Sequence, residues 1–123
     1  MTEQATFKLR EVEGIPVIDV HGEIDISNIE QFKESLRAAS SGAAQAIIVK
    51  LEHVTYLDSH AIAALVVHGK RLHTIRRRAY VVAGPKSAAG KILGISNLNL
   101  AIPLCESIED ALSRENGASG GVT

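Results

Sequence analysis

The sequence predicts a single α/β domain: a mixed, mostly parallel β-sheet with alternating α-helices. Three observations carry this expectation. Two short apolar runs, Ala46–Leu51 and Tyr80–Gly84, lack the polar alternation of a half-solvated strand and read as strands covered on both faces. Segments with apolar residues at helical spacing lie between and after these runs. An alternating, glycine-punctuated ribbon precedes them, the pattern of an antiparallel start.

Taken in order, Thr6 to Val12 sets Phe7 and Leu9 on one face and Lys8 and Arg10 on the other. Gly14 then punctuates the chain and Val17-Ile18-Asp19-Val20 follows, so a hairpin is expected, with Gly22 closing its second strand. Ser27-Asn28-Ile29-Glu30 has the form of a capping box. Behind it Ile29, Phe32 and Leu36 recur at helical spacing while Glu30, Lys33, Glu34 and Arg37 face water, and Ser40-Ser41-Gly42 supplies a stop. After the first buried run and Val54-Thr55-Tyr56-Leu57, a second helix starts at Ser59, with Ile62, Leu65, Val66, Gly69 and Leu72 on one stripe. Lys70, Arg71 and Arg76-Arg77-Arg78 at its far end suit the helix dipole and read as a solvated helix end. Pro85 is expected to open a short helix carrying Ala88, Ala89, Ile92 and Leu93. Leu100 to Leu104 reads as a last strand, and Ser107 caps a final helix through Ile108-Glu109-Asp110-Ala111-Leu112. The order is β-β-α-β-α-β-α-β-α, with a domain over residues 1–115 and a Gly/Ser-rich disordered tail over 116–123.

Composition narrows the function classes. The chain has 123 residues, 46% apolar and 22% charged, enough for one core and too apolar for a disordered chain. Aromatics make up 3%, and 13 basic against 14 acidic residues give a net charge of −1, which argues against a dedicated nucleic-acid binder. A single Cys105, within Ile102-Pro103-Leu104-Cys105, excludes an internal disulfide and reads as a buried small hydrophobe. Met1-Thr2-Glu3-Gln4 is polar, and no apolar run reaches the roughly 18 residues of a membrane span. The expectation is a cytoplasmic protein without a membrane segment.

Asp58-Ser59 is the most informative pair, because it sits at a strand-to-helix corner where free N–H groups favour negative charge. A serine there suits a catalytic nucleophile, an anion site or a phosphate acceptor, and either residue also suits a plain N-cap. No Gly-x-Ser-x-Gly elbow surrounds it and no base is evident, so hydrolysis is disfavoured and no catalytic residue is assigned. As an acceptor, Ser59 would gain a charge of about −1.5 to −2 beside Asp58. His21, His53, His60, His68 and His73 show no metal-binding spacing and read as surface residues. No Gly-rich phosphate loop occurs, so neither a metal nor a cofactor is expected. Gly22-Glu23-Ile24-Asp25 is a second acidic corner, and Asp25 would share an edge with Ser59 if both follow strands and precede helices in one layer.

Three segments together resemble the STAS domain family, specifically its stand-alone bacterial anti-sigma factor antagonists. They are Val20-His21-Gly22-Glu23-Ile24-Asp25, then Val54-Thr55-Tyr56-Leu57-Asp58-Ser59, then Gly94-Ile95-Ser96-Asn97-Leu98 leading to Pro103 and Ser107-Ile108-Glu109-Asp110-Ala111-Leu112. The resemblance implies a non-enzymatic partner switch. The unphosphorylated antagonist binds an anti-sigma factor, often a serine kinase, and frees a sigma factor. The kinase phosphorylates the serine matching Ser59, and a PP2C-type phosphatase reverses it, with ATP and magnesium belonging to the partner. By the same resemblance Asp25, Asp58, Ser59, His60, Ala61, Ala63 and Ala64 form the partner-binding surface. The chain departs from the family where His60-Ala61-Ile62-Ala63 replaces the usual Ser or Thr followed by Gly-Leu-Gly. This leaves an alternative: a non-phosphorylated adaptor or sensor in a signalling or lipid-transport complex.

Overall fold

The computed structural model describes residues 5–98 and 101–120. The chain runs through β1 (Thr6–Val12), β2 (Ile15–Ile24), α1 (Ile29–Ser40), β3 (Ala46–Leu57), α2 (Ser59–Thr74), β4 (Arg78–Val82), α3 (Ala88–Ile95), β5 (Leu104–Cys105) and α4 (Ile108–Gly120). The five strands lie side by side in chain order; β1 is antiparallel to β2, and the other pairs are parallel. This is the α/β architecture expected from the sequence.

Val12 pairs with Ile15, so Glu13 and Gly14 alone make the first turn. Both have positive φ, 51° and 80°, the geometry that matches the twist of a two-residue hairpin and that glycine adopts without strain. Gly22, with φ 95°, does not close β2. It sits at a register shift inside the strand, which continues to Ile24 paired with Leu57. A bulge depends on the partner strand, so the glycine alone did not reveal it.

α1, α2 and α3 supply one large cluster on one sheet face, with Phe32, Leu36, Leu65, Leu72 and Leu93 packed on Ile18, Ile47, Val49 and Val81. α4 covers part of the other face, where Ala111 and Leu112 meet Val17, Ile48, Tyr80 and Val82. Burying each large aliphatic or aromatic side chain contributes about 1.5–3 kcal/mol, so these two faces carry the fold. Three parallel crossovers wound in one direction place their helices on one face, which leaves α4 to cover the other. Phe7 of β1 stacks on Phe32 with ring centroids 5.9 Å apart, tying α1 to the hairpin.

Several local expectations are corrected. The capping box at Ser27 does not form, because Asn28 turns its amide back into the preceding loop and gives no side-chain cap to α1. Pro85 does not open α3; Ser87 is its N-cap, accepting from the N–H of Gly90 at 3.0 Å. The basic run is a solvated helix end only in part: Lys70 and Arg71 are exposed in the last turns of α2, whereas Arg77 and Arg78 are half-buried beyond it. α2 stops at Thr74, Arg76 turns left-handed at φ 61°, and the N–H groups of Arg76 and Arg77 close on the carbonyls of His73 and Leu72. Arg77 then donates to the carbonyls of Ala44 and Ser40, and Arg78 enters β4. The last strand spans only Leu104–Cys105, with Ala101 and Ile102 in a turn before it; Leu100 lies outside the described residues, as do Met1–Gln4. α4 continues past residue 115 to Gly120, so residues 116–120 of the expected tail are helical, while 121–123 lie outside the described residues. Glu115 holds that end of the helix to β4 through Arg78.

Candidate functional site

The parallel pairing of β2 with β3 builds the site. Ile24 stands opposite Leu57 at the ends of the two strands, so the next residues, Asp25 and Asp58, begin neighbouring corners on one edge of the sheet. The N–H of Asp58 donates to the carbonyl of Ile24 at 3.1 Å and stitches the corners together. Asp25 and Asp58-Ser59 therefore share an edge.

Asp58 is the N-cap of α2, in extended backbone geometry. Its Oδ1 accepts from the N–H groups of His60 at 2.9 Å and Ala61 at 3.1 Å, and its Oδ2 lies 3.3 Å from Nδ1 of His60. Partial burial raises the Asp58 carboxyl, but the N–H of Ala61, the ring of His60 and the N–H of His60 together outweigh it and hold the group below its ordinary value. Ser59 is the first helical residue and is exposed. Its hydroxyl makes no hydrogen bond among the described residues. The opening N–H groups of the helix are largely taken: that of Asp58 by Ile24, those of His60 and Ala61 by the Asp58 carboxylate.

Asp25 is engaged within its own loop. Its Oδ1 accepts from the N–H and hydroxyl of Ser27 at 2.9 and 2.5 Å. Asn28 ties both ends of this loop, accepting from the N–H of Asp25 and donating to the carbonyl of Glu23 at 2.8 Å. The loop is thus preorganised, and it lifts Ile26 to 67% exposure. Tyr56, two residues before Asp58, is 47% exposed, and Val67 on the outer side of α2 is 50% exposed. Tyr56 lies within the Val54–Ser59 segment without being singled out by it, and Ile26 and Val67 lie outside the motifs; exposure of a large apolar side chain is their signal.

The resemblance-derived surface is only partly accessible. His60 and Ala63 are exposed, but Ala61 is fully buried against the core and cannot meet a partner. Ala64, 7% exposed, forms the floor of a groove of about 530 Å³ between α1 and α2 whose walls include Lys33, Arg37, His60, Val67 and Arg71. Among the described residues no group of three or more His, Cys, Asp or Glu side chains is arranged to hold a metal ion. Cys105 is buried, and burial raises its thiol above the ordinary value.

The STAS domain family matches residues 6–111 of the sequence. The chain belongs to the STAS family. Solved structures share this STAS fold. An anti-sigma factor antagonist from Mycobacterium paratuberculosis superposes with a TM-score of 0.81 at 24% identity, covering 93% of this chain and 97% of that one. The anti-sigma factor antagonist SpoIIAA in its unphosphorylated form gives a TM-score of 0.70 at 24% identity, covering 91% of this chain and 97% of that one. The phosphorylated form of this Bacillus cell fate determinant gives 0.63 at 23% identity, covering 89% and 98%. At this identity the likeness concerns the fold. No helix among the described residues of the STAS domain is long and apolar enough to cross a membrane.

Proposed function

We propose that this STAS domain is an anti-sigma factor antagonist whose partner-binding edge carries Asp25, Asp58, Ser59, His60 and Ala63, and that phosphorylation of Ser59 breaks the complex. The observation that carries this reading is the state of the α2 N-terminus. Ser59 offers an exposed, unpartnered hydroxyl, while Asp58 has already filled the neighbouring N–H donors. A phosphate on Ser59 finds few free donors in the helix and adds about two negative charges beside an ionised carboxylate. That charge projects into any docked surface, so a partner that fits the hydroxyl rejects the phosphate with no change in the fold. The exposed Ile26 and Tyr56 supply apolar contact near the polar corner, and Val67 extends it along α2.

In this reading the anti-sigma factor is a serine kinase that brings its own ATP and magnesium, and a PP2C-type phosphatase restores the hydroxyl. The domain catalyses nothing itself and works in the cytoplasm, where sigma factors act. Names of the structural neighbours support the role, since they are anti-sigma factor antagonists, one of them solved in both phosphorylation states. One observation favours a second reading, a non-phosphorylated adaptor: His60 is a bulky side chain directly after the acceptor, with its ring against Asp58.

The deciding experiment is affinity capture from the native bacterium with wild type, Ser59→Ala and Ser59→Asp baits, with mass spectrometry of bait and partners. An anti-sigma factor held by wild type and Ser59→Ala but lost from Ser59→Asp, with phosphate mapped to Ser59, is the expected result. The same partner on all three baits, with Ser59 never modified, replaces the switch by the adaptor.

A further inference from the structure

His21 and His53 face each other because the sheet is irregular between them. Asp19 pairs with Lys50, and an unbroken register would set His21 against Glu52. An extra residue in β3 brings His53 across instead. The two imidazoles stack, with ring centroids 4.7 Å apart and planes inclined by 22°. Both side chains are exposed, and no ring nitrogen of either has a hydrogen-bond partner among the described residues. They share the sheet face of Asp19 and Lys50, beyond the patch that α4 covers.

We propose that His21 and His53 together bind one divalent ion of the imidazole-preferring class, Zn²⁺, Ni²⁺ or Cu²⁺. Imidazole nitrogens ligate these ions at about 2.0–2.1 Å, which sets two nitrogens on one ion about 3.0–3.5 Å apart. Rings already 4.7 Å apart reach that spacing by turning about their own side-chain bonds, with the backbone fixed. Calcium and magnesium are excluded by chemistry, since both take oxygen ligands. Asp19, two residues before His21 on β2, is engaged by Arg10 and by Lys50 at 4.0 Å. The protein therefore supplies two ligands, and water or a group from another molecule fills the remaining positions. The bound ion clamps β2 to β3 where the bulge interrupts their ladder.

The test is calorimetric titration of the untagged full chain with ZnCl₂ near neutral pH. The expected result is saturable one-to-one binding, weakened at least about tenfold by His21→Ala and equally by His53→Ala. The double variant loses the saturable binding altogether, and His73→Ala binds as wild type. Amide and imidazole signals of the wild type, broadened by substoichiometric Ni²⁺, locate the ion without any variant; broadening centred on both rings is expected. Absence of saturable binding, affinity unchanged in both single variants, or broadening centred on another histidine overturns the proposal.

Discussion

Arg78 of β4 and Glu115 of α4 meet in a two-point ion pair, with Nε and Nη2 at 2.6 and 2.8 Å from the two carboxylate oxygens. The hydroxyl of Tyr80 donates to the same carboxylate at 2.8 Å. Glu115 is 4% exposed, so this pair is the polar anchor of α4 on an otherwise apolar face. The hydrogen bond from Arg78 is the largest influence holding the Glu115 carboxyl below its ordinary value, while burial and the Glu115 bond push the Tyr80 phenol up to about 12.

Glu115→Ala is expected to lower stability by about 2–3 kcal/mol in urea unfolding, toward the low end for broken buried pairs because Arg78 still reaches water. The sign of the pH effect follows from the lowered carboxyl: its stabilisation is complete above the ordinary value of 4.5 and is lost as pH falls through the folded value. Glu115→Gln, lacking the charge, is expected to flatten the acid limb of the stability profile. An acid limb identical to wild type would show that the pair contributes nothing there.

Gly90 and Gly94 predict opposite outcomes within one helix. A Cβ at Gly90 would stand 1.9 Å from the carbonyl oxygen of Gly84, backbone that cannot move aside cheaply. Gly90→Ala therefore pushes α3 away from the end of β4 and is expected to cost about 1–3 kcal/mol or more. A Cβ at Gly94 meets nothing within 4 Å, and Gly94→Ala is expected to be neutral or stabilising by up to about 1 kcal/mol through helix propensity. Thermal midpoints of the two variants moving in the same direction would contradict this.

His68 predicts a stability loss on the mildly acidic side. Its Nε2 lies 2.7 Å from the hydroxyl of Ser40, joining α2 to the end of α1. Burial first, then the charges of Arg71, Arg77 and Arg37, lower its pKa from 6.5. The unfolded chain thus takes up a proton that the folded chain resists, so stability falls as pH drops below 6.5 and levels off below the folded value. His68→Gln keeps a hydrogen-bonding group and is expected to reduce the slope of the thermal midpoint between pH 8 and 5. An unchanged slope assigns the effect to other groups.

What the sequence revealed was whatever rests on local periodicity. The turn at Gly14, the stripe of Ile29, Phe32 and Leu36, and the apolar run into Leu51 each encode their own environment within a few residues. Asp58 and Ser59 stood out because a strand ends and a helix begins there, and the corner is where the structure places it. Asp25 joined them only through the pairing of β2 with β3, which local patterns do not state. Long-range contact also decided what was misread: Gly22 lies where β3 carries an extra residue, Ala61 is buried in the core between α2 and the sheet, and Arg77 reaches carbonyls more than thirty residues earlier. His68 and Ser40 likewise meet across two helices that no spacing rule connects.

The strand order follows the chain order without a reversal. In open α/β sheets a crevice for small ligands forms where that order reverses. Here successive corners form a ledge instead of a cleft, and Ser59 stands on it in the open. The groove between α1 and α2 opens beside it at His60, while the exposed Ser59 is free to abut another macromolecule. The residues of the ledge belong to loops and a helix tip, so they can be exchanged singly while the layers beneath stay as they are. On the proposed reading, partner choice among such domains diverges along this rim, with the packing that makes each of them fold left untouched.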